Sequence, residues 1–131
     1  MLHKISQEKK NIIGQKKEII TQLLQKQKKL ISLFFKYDLL IIGSYTEVKV
    51  KCGKKGCHCV KKPIHQVTKL SKWERKKLKN KIVRVNDRLW VKDYVNNYKA
   101  HKKVLSDYDK IFKEIKSTMK AIINLKAIIY K

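Results

Sequence analysis

All three cysteines of this 131-residue chain lie within residues 52–59, and long helical patterns flank that segment on both sides. The segment runs Cys-Gly-Lys-Lys-Gly-Cys-His-Cys, and His65 follows it. Gly53 and Gly56 permit the tight backbone turns by which sulfur atoms converge. Structural zinc sites take four Cys or His ligands in a tetrahedral arrangement. The segment therefore predicts a metal-stabilised element between two helices.

The predicted zinc ligands are Cys52, Cys57, Cys59 and His65. In an extended segment Cys57 and Cys59 point to one side and His58 to the other, so His65 is the preferred fourth ligand and His58 the alternative. A site closed by four protein ligands is structural. The competing interpretation is three free thiols without metal, which behave as small apolar side chains.

Apolar doublets recur between residues 12 and 42 at alternating steps of seven and four. This 11-residue repeat is close to the period of an unstrained α-helix. It predicts a helix from about residue 6 to residue 42, with Gly43 as its C-terminal stop.

From Val91 to Ile129 apolar positions recur at steps of three and four, the pattern of a coiled-coil seam. This predicts a second long helix within residues 87–131. The two predicted helices form an antiparallel hairpin in the simplest arrangement. Both apolar stripes are too wide for two helices to cover, so we expect a homodimer or a helical protein partner.

Residues 43–86, called the head, alternate polar and apolar side chains and are rich in β-branched types. Strands are predicted at 44–50, 66–73 and 81–85, with a basic turn or short helix at 74–80. The predicted fold is α+β and mostly α: an N-terminal helix over 1–42, a small antiparallel sheet with a zinc site over 43–86, and a heptad helix over 87–131. Two or three short strands are marginal alone, and the metal would stabilise them.

The chain carries 34 Lys and Arg against 10 Asp and Glu, a formal charge of +24. The head holds 14 of these cations and 2 of the acids, so it carries +12, half of the excess. Such a charge indicates a polyanionic partner: nucleic acid, an anionic membrane surface or an acidic protein. Lysine suits phosphate neutralisation more than base readout. The predicted nucleic-acid contacts are Lys49, Lys51, Lys54, Lys55, Lys61, Lys62, Lys72, Arg75, Lys76, Lys77, Lys79, Lys81 and Arg84.

Trp73 and Tyr45 lie among these cations, where an aromatic side chain could stack on an unpaired base. The competing interpretation, which we favour at this level, places both rings in the small core of the head. No signal peptide and no bilayer-spanning apolar run are visible, so a cytoplasmic protein with reduced thiols is expected.

These motifs also resemble those of a known protein family. The run Cys52-Gly53-Lys54-x-x-Cys57-x-Cys59, with His65, Leu70-Ser71, Val83-x-Val85, Trp90-Val91 and Tyr98 after it, resembles a family of small, functionally uncharacterised prokaryotic proteins. That family has a short sheet and a long C-terminal helix, and its members are often found near mobile-element genes. The resemblance spans about residues 43–105. It implies nucleic-acid binding, in the service of mobile-element or recombination machinery.

The leading hypothesis is a zinc-stabilised, non-enzymatic nucleic-acid-binding protein. The alternative is a coiled-coil oligomerisation or adaptor protein whose head docks a protein partner. An enzyme with a Cys57 or Cys59 nucleophile beside His58 is the weakest hypothesis, since no pair of acidic residues stands near the cluster.

Overall fold

The computed structural model describes residues 3–51, 53–54, 56, 62 and 65–131. In chain order these form helix α1 (Gln7–Lys36), strands β1 (Ser44–Val50), β2 (His65–Glu74) and β3 (Lys77–Ile82), a 3-10 turn (Val85–Asp87) and helix α2 (Arg88–Lys126). The predicted mostly helical α+β class, with two long helices and a small antiparallel sheet, is confirmed.

The chain divides into two compact units. We call residues 1–36 together with 102–131 the helix unit, and residues 37–101 the sheet unit. Helix α2 begins in the sheet unit and ends in the helix unit.

In the helix unit, α1 and the later part of α2 run antiparallel. Leu23 and Leu30 line one groove with Ile111, whereas Ile5 lines another with Ile128. The buried positions Leu23, Val104 and Ile115 belong to the apolar stripes of the two helices. No helix in the described part of the chain combines the length and apolar character needed to cross a lipid bilayer.

In the sheet unit, the strands are ordered β1-β2-β3 with antiparallel pairing throughout. The core is a cluster of Val83, Val91 and Val95 from the segment after β3 and the start of α2. Tyr45 of β1 and Leu70 of β2 pack against it, together with Ile41. Tyr45 and Leu70 are cross-strand partners, so one face of the sheet is covered by α2.

Helix α1 ends at Lys36, and the prediction that it continues to residue 42 is wrong. Within 37–42, Ile41 packs against the core of the sheet unit, whereas Leu39 and Ile42 are exposed. The Ile41 N–H donates to the Tyr94 carbonyl oxygen at 3.1 Å, and Asn97 Nδ2 donates to the Leu39 carbonyl oxygen at 2.9 Å. These tertiary hydrogen bonds replace those of the helix, and the local pattern could not reveal them.

The predicted position of the third strand, residues 81–85, is also wrong. The strand covers Lys77–Ile82, and of the predicted basic turn or short helix at 74–80 only the two residues Arg75 and Lys76 form a turn. Val83, expected in the strand, follows it and is buried in the core, while its N–H donates to the Thr68 carbonyl oxygen at 2.8 Å. Lysine alternates with Leu78 and Asn80 in β3, so the strand lacked the apolar signal on which the prediction relied.

Gly43 stands at the entry to β1, where no side chain fits. A Cβ atom there would lie 2.9 Å from the Ser71 carbonyl oxygen and 3.0 Å from Leu70 Cδ1. We expect Gly43→Ala to lower the free energy of unfolding by about 1–3 kcal/mol, measured by chemical denaturation. Gly14→Ala is the control: nothing lies within 4 Å of its Cβ, and the change should stabilise α1 by about 0.5–1 kcal/mol. Equal effects at both positions would contradict this packing account.

Candidate functional site

The described members of the predicted cationic set are all exposed, at Lys49, Lys51, Lys54, Lys62, Lys72, Arg75, Lys76, Lys77, Lys79, Lys81 and Arg84. Lys55 and Lys61 lie outside the described residues. The strand order separates the set into two groups. One group surrounds the β1–β2 connection, residues 51–64, and the other follows the β2–β3 hairpin.

The β2–β3 hairpin extends beyond β1. Ser44, where β1 begins, pairs with Ser71, whereas pairing between β2 and β3 continues to Glu74 and Lys77. Residues 72–79 therefore form a two-stranded segment, which we call the ribbon, and within the described part of the chain no third strand pairs with it. It holds five basic residues and one acidic residue, Glu74.

Arg75 and Lys76 form the turn at the end of the ribbon. Both have positive φ, 48° and 66°, and Glu74 pairs directly with Lys77 around them. A two-residue hairpin turn with both residues left-handed is the type I′ geometry, which usually takes Asn-Gly. For residues with a Cβ this backbone costs on the order of 1 kcal/mol each. Two long cationic side chains thus occupy turn positions whose backbone conformation favours small residues.

Lys77, Lys79 and Lys81 form a row along β3. Side chains two residues apart share a face of the strand, and at roughly 3.4 Å per residue the row repeats about every 7 Å. Lys72 and Lys79 share Glu74, at 3.6 and 2.9 Å. The hydrogen bond from Lys79 and then the charge of Lys72 lower the pKa of Glu74 below its usual value. The carboxylate therefore stays charged and partly neutralises the row.

Trp73 and Leu78 stand opposite each other on the other face of the ribbon. Trp73 is 70% exposed and Leu78 49% exposed, so the expectation that Trp73 belongs to the core is wrong. The reason is the alternation of β2: Leu70 faces the core, and a residue three positions later faces away from it. Tyr45 does pack against the core, as expected, and the Lys92 Nζ lies 5.9 Å from its ring centroid.

The predicted metal ligands lie in or beside the β1–β2 connection. His65 is the first residue of β2 and pairs with Val50, the last residue of β1, so strand pairing holds the two ends of the connection together. Gly53 and Gly56 have φ of 77° and 80°, a backbone that suits glycine. Cys52, Cys57, Cys59 and the alternative ligand His58 lie outside the described residues.

Within the described residues no three His, Cys, Asp or Glu side chains cluster as a metal site would require. Three thiols and one imidazole are ligands that Zn²⁺ takes in structural sites. The donor set thus suits zinc, and the pairing of Val50 with His65 brings the last of these donors to the mouth of the loop that carries the others.

Sequence reasoning missed the ribbon as a separate element. A signal was present: Glu74 and Lys77, Trp73 and Leu78, and Ser71 and Asn80 are pairs symmetric about Arg75-Lys76. The turn lacks glycine, asparagine and proline, so it carries none of the residues by which a tight hairpin is ordinarily recognised.

A family model described as a domain of unknown function (DUF6788) matches residues 13–93, which is more than half of the chain. The match covers all three strands, the loop between β1 and β2, and the beginning of α2. Neither the curated proteins nor the solved structures contain a significant match to the chain.

Proposed function

The chain belongs to the family described as a domain of unknown function (DUF6788), and we propose from its own residues that it is a zinc-stabilised, non-enzymatic nucleic-acid-binding protein. The observation that carries the proposal is the lysine row of β3 together with the two turn cations of the ribbon. These five positions are exposed and lie on one continuous hairpin: Arg75, Lys76, Lys77, Lys79 and Lys81.

The spacing of these cations suits a polyanion with regularly repeated charges. Lysine neutralises phosphate as a point charge, and a protein that does so displaces counterions from the nucleic acid. Among the described residues, Lys77 and Lys81 have no carboxylate within ion-pairing distance, so they are available for phosphate. A mainly electrostatic contact of this kind binds the backbone and carries little sequence information.

Edge-strand lysines also have a structural use, since they discourage edge-to-edge pairing between sheets. That use accounts for a lysine or two on β3. It does not account for Arg75 and Lys76, which lie beyond the strand in a turn where small residues are favoured. The turn cations therefore favour the binding interpretation.

Two acidic groups near the sheet, Glu47 and Asp87, are held in structural hydrogen bonds, which supports a non-enzymatic protein. Glu47 accepts hydrogen bonds from Tyr45 Oη and Gln66 Nε2, and Asp87 accepts one from Trp90 Nε1. A metal held by four protein ligands would leave no open position for substrate. A role beside mobile-element or recombination machinery remains part of the proposal and rests on the resemblance of the cysteine motif.

The test is fluorescence anisotropy with labelled 20-nucleotide single strands and 20-base-pair duplexes, titrated at several salt concentrations. We expect log Kd to rise linearly with the logarithm of the salt concentration, as is typical of phosphate contacts. Absence of binding to both probes at about 50 mM salt would overturn the proposal.

The second candidate is an oligomerisation or adaptor protein, and exposed apolar rows in the helix unit favour it. In α1 the row consists of Leu24, Ile31 and Phe35, and each of these exposed residues comes one position after a residue of the packed stripe. In α2 the exposed residues of the row likewise come one position after residues of the packed stripe, and they are Leu105, Phe112, Met119 and Ile123. Because the helices are antiparallel, equal offsets place both rows on the same side of the pair.

This shared apolar side could pack on the same side of a second copy and complete a four-helix bundle. Its association should depend little on salt, because the contact is apolar. The homodimer is compatible with nucleic-acid binding, since the two proposals use residues of different units.

We expect the double variant Leu105→Gln with Phe112→Gln to weaken self-association by at least about 100-fold, because each copy loses two apolar side chains from the contact. Sedimentation equilibrium measures this. The matched control is Val85→Gln with Leu89→Gln, which replaces two apolar side chains that are 70% and 81% exposed in the sheet unit. A wild-type protein that is monomeric at about 100 μM would contradict the dimer.

A further inference from the structure

Trp73 is the largest exposed apolar side chain of the ribbon, and phosphate binding by the lysine row does not explain its exposure. It lies on the ribbon face opposite that row, and with Leu78 it forms a cross-strand pair at the end of the hairpin. The pair lies beyond the beginning of β1, so among the three described strands none lies beside it except its own two. An exposed tryptophan costs solvation free energy, and a contiguous exposed apolar patch usually marks a contact site.

The surroundings of Trp73 narrow the choice of partner. At the next cross-strand pair on the same face, the Ser71 hydroxyl donates a hydrogen bond to the side-chain oxygen Oδ1 of Asn80. Because that oxygen is engaged, the amide nitrogen of Asn80 is the group that could meet an acceptor on a ligand. The turn cations Arg75 and Lys76 lie between Trp73 and Leu78 in the chain. An apolar flat ring with a hydrogen-bond donor beside it and cations around it is complementary to a nucleobase and its phosphates.

We propose that the ribbon holds an unpaired nucleobase of a single strand, with the base stacked on Trp73 and against Leu78. The inference rests on the proposed nucleic-acid binding and specifies its form. In a duplex the faces of the bases are covered by their neighbours, whereas a single strand can present an open face to an aromatic ring. The cations of the turn, Arg75 and Lys76, contact the phosphates on either side of the stacked base.

The test compares Trp73→Ala with the wild type on single-stranded and duplex probes of the same length and at the same salt. Loss of one base–aromatic stack should weaken single-strand binding by about 5- to 100-fold. Duplex binding should change by less than about twofold, and the dependence of single-strand affinity on salt should keep its slope, because no charge is removed. Trp73→Phe retains a stacking ring and should recover most of the loss, whereas Trp73→Leu should not.

A second readout uses the indole itself. Trp90 is the other tryptophan, so in a Trp90→Phe background Trp73 fluorescence should be quenched by the single strand and not by the duplex. Thermal melting of each variant establishes that it is folded, which is expected because Trp73 lies outside the core.

The outcomes separate the two proposals. If the wild type binds neither probe, the proposed function fails and this inference fails with it. If the wild type binds and Trp73→Ala binds the single strand equally well, stacking is wrong while nucleic-acid binding stands. If Trp73→Ala weakens both probes equally, or Trp73→Leu matches Trp73→Phe, Trp73 acts by some means other than stacking and the inference is also overturned.

Discussion

Replacing Lys77, Lys79 and Lys81 together by glutamine is expected to weaken nucleic-acid binding on the order of 100-fold at about 0.1 M salt. The slope of log affinity against log salt should fall by about two to three, because each lost phosphate contact removes roughly 0.7–0.9 from it. All three side chains are exposed on an edge strand, so the sheet should remain folded. Anisotropy titrations over a range of salt concentrations measure both quantities.

The control for this variant carries the same change in charge elsewhere. Lys10, Lys17 and Lys28 are exposed on α1 in the helix unit, and their replacement by glutamine also lowers the net charge by three. If the β3 row contacts phosphate, the α1 variant should lose far less affinity and retain more of the salt slope. Equal losses in both variants would mean that total charge governs binding, and the row would have no special part in it.

The pairing of Lys79 with Glu74 refines this expectation. Glu74→Gln removes the carboxylate that holds Lys72 and Lys79 in the free protein. Both lysines would then be available to phosphate, and the local charge would rise by one. In the wild type, Glu74 competes with phosphate for Lys79 and so weakens binding by the lysine row. Lys79 alone should therefore contribute less to nucleic-acid affinity than Lys77 or Lys81.

The sequence was sufficient to predict the fold class and most element positions, because helical and alternating periodicities are local properties. The 11-residue repeat places α1, and the alternation from Ser44 to Val50 places β1. The prediction failed where tertiary contacts override local pattern. Residues 37–42 continue the helical periodicity of α1, yet Ile41 packs with Val95 of α2 and its neighbours, and the helix ends before it.

The candidate site was predictable in composition and not in arrangement. Basic residues of the head were recognised by charge alone, which requires no knowledge of structure. The division of those residues between the loop and the ribbon follows from strand register, and register depends on the Arg75-Lys76 turn. Once the turn is placed, Trp73 falls opposite Leu78 and away from the core. The unrecognised turn thus accounts for the misplaced β3, whereas the wrong expectation for Trp73 follows from the alternation of β2.

Removal of zinc is expected to unfold the β1–β2 end of the sheet unit. Structural zinc contributes about 10–16 kcal/mol of binding free energy in small zinc domains at pH 7, comparable to the whole stability of an ordinary domain. Purified protein should contain one zinc per chain by elemental analysis. Cys57→Ser and Cys59→Ser should each lower the metal content and the thermal stability of the sheet unit, and a strong chelator should do the same to the wild type.

The histidines provide the matched comparison. His65→Ala should release the metal, because strand pairing with Val50 holds His65 at the mouth of the loop, whereas His58→Ala should retain it. The reverse result would assign the fourth ligand to His58. Because cysteine must bind as thiolate and histidine as neutral imidazole, metal affinity should fall as the pH is lowered.

Two results would contradict the structural zinc site. Protein that is metal-free as purified, with a thermal transition unaffected by chelator, would leave the three cysteines as free thiols. A cysteine variant that remains fully folded yet loses a chemical activity would instead indicate a nucleophile. The zinc hypothesis also bears on binding. Lys51, Lys54 and Lys62 lie in the loop and Lys49 lies beside it, so metal removal should weaken their contribution to binding and leave that of the ribbon unchanged. Combining chelation with the β3 lysine variant should therefore weaken binding more than either change alone.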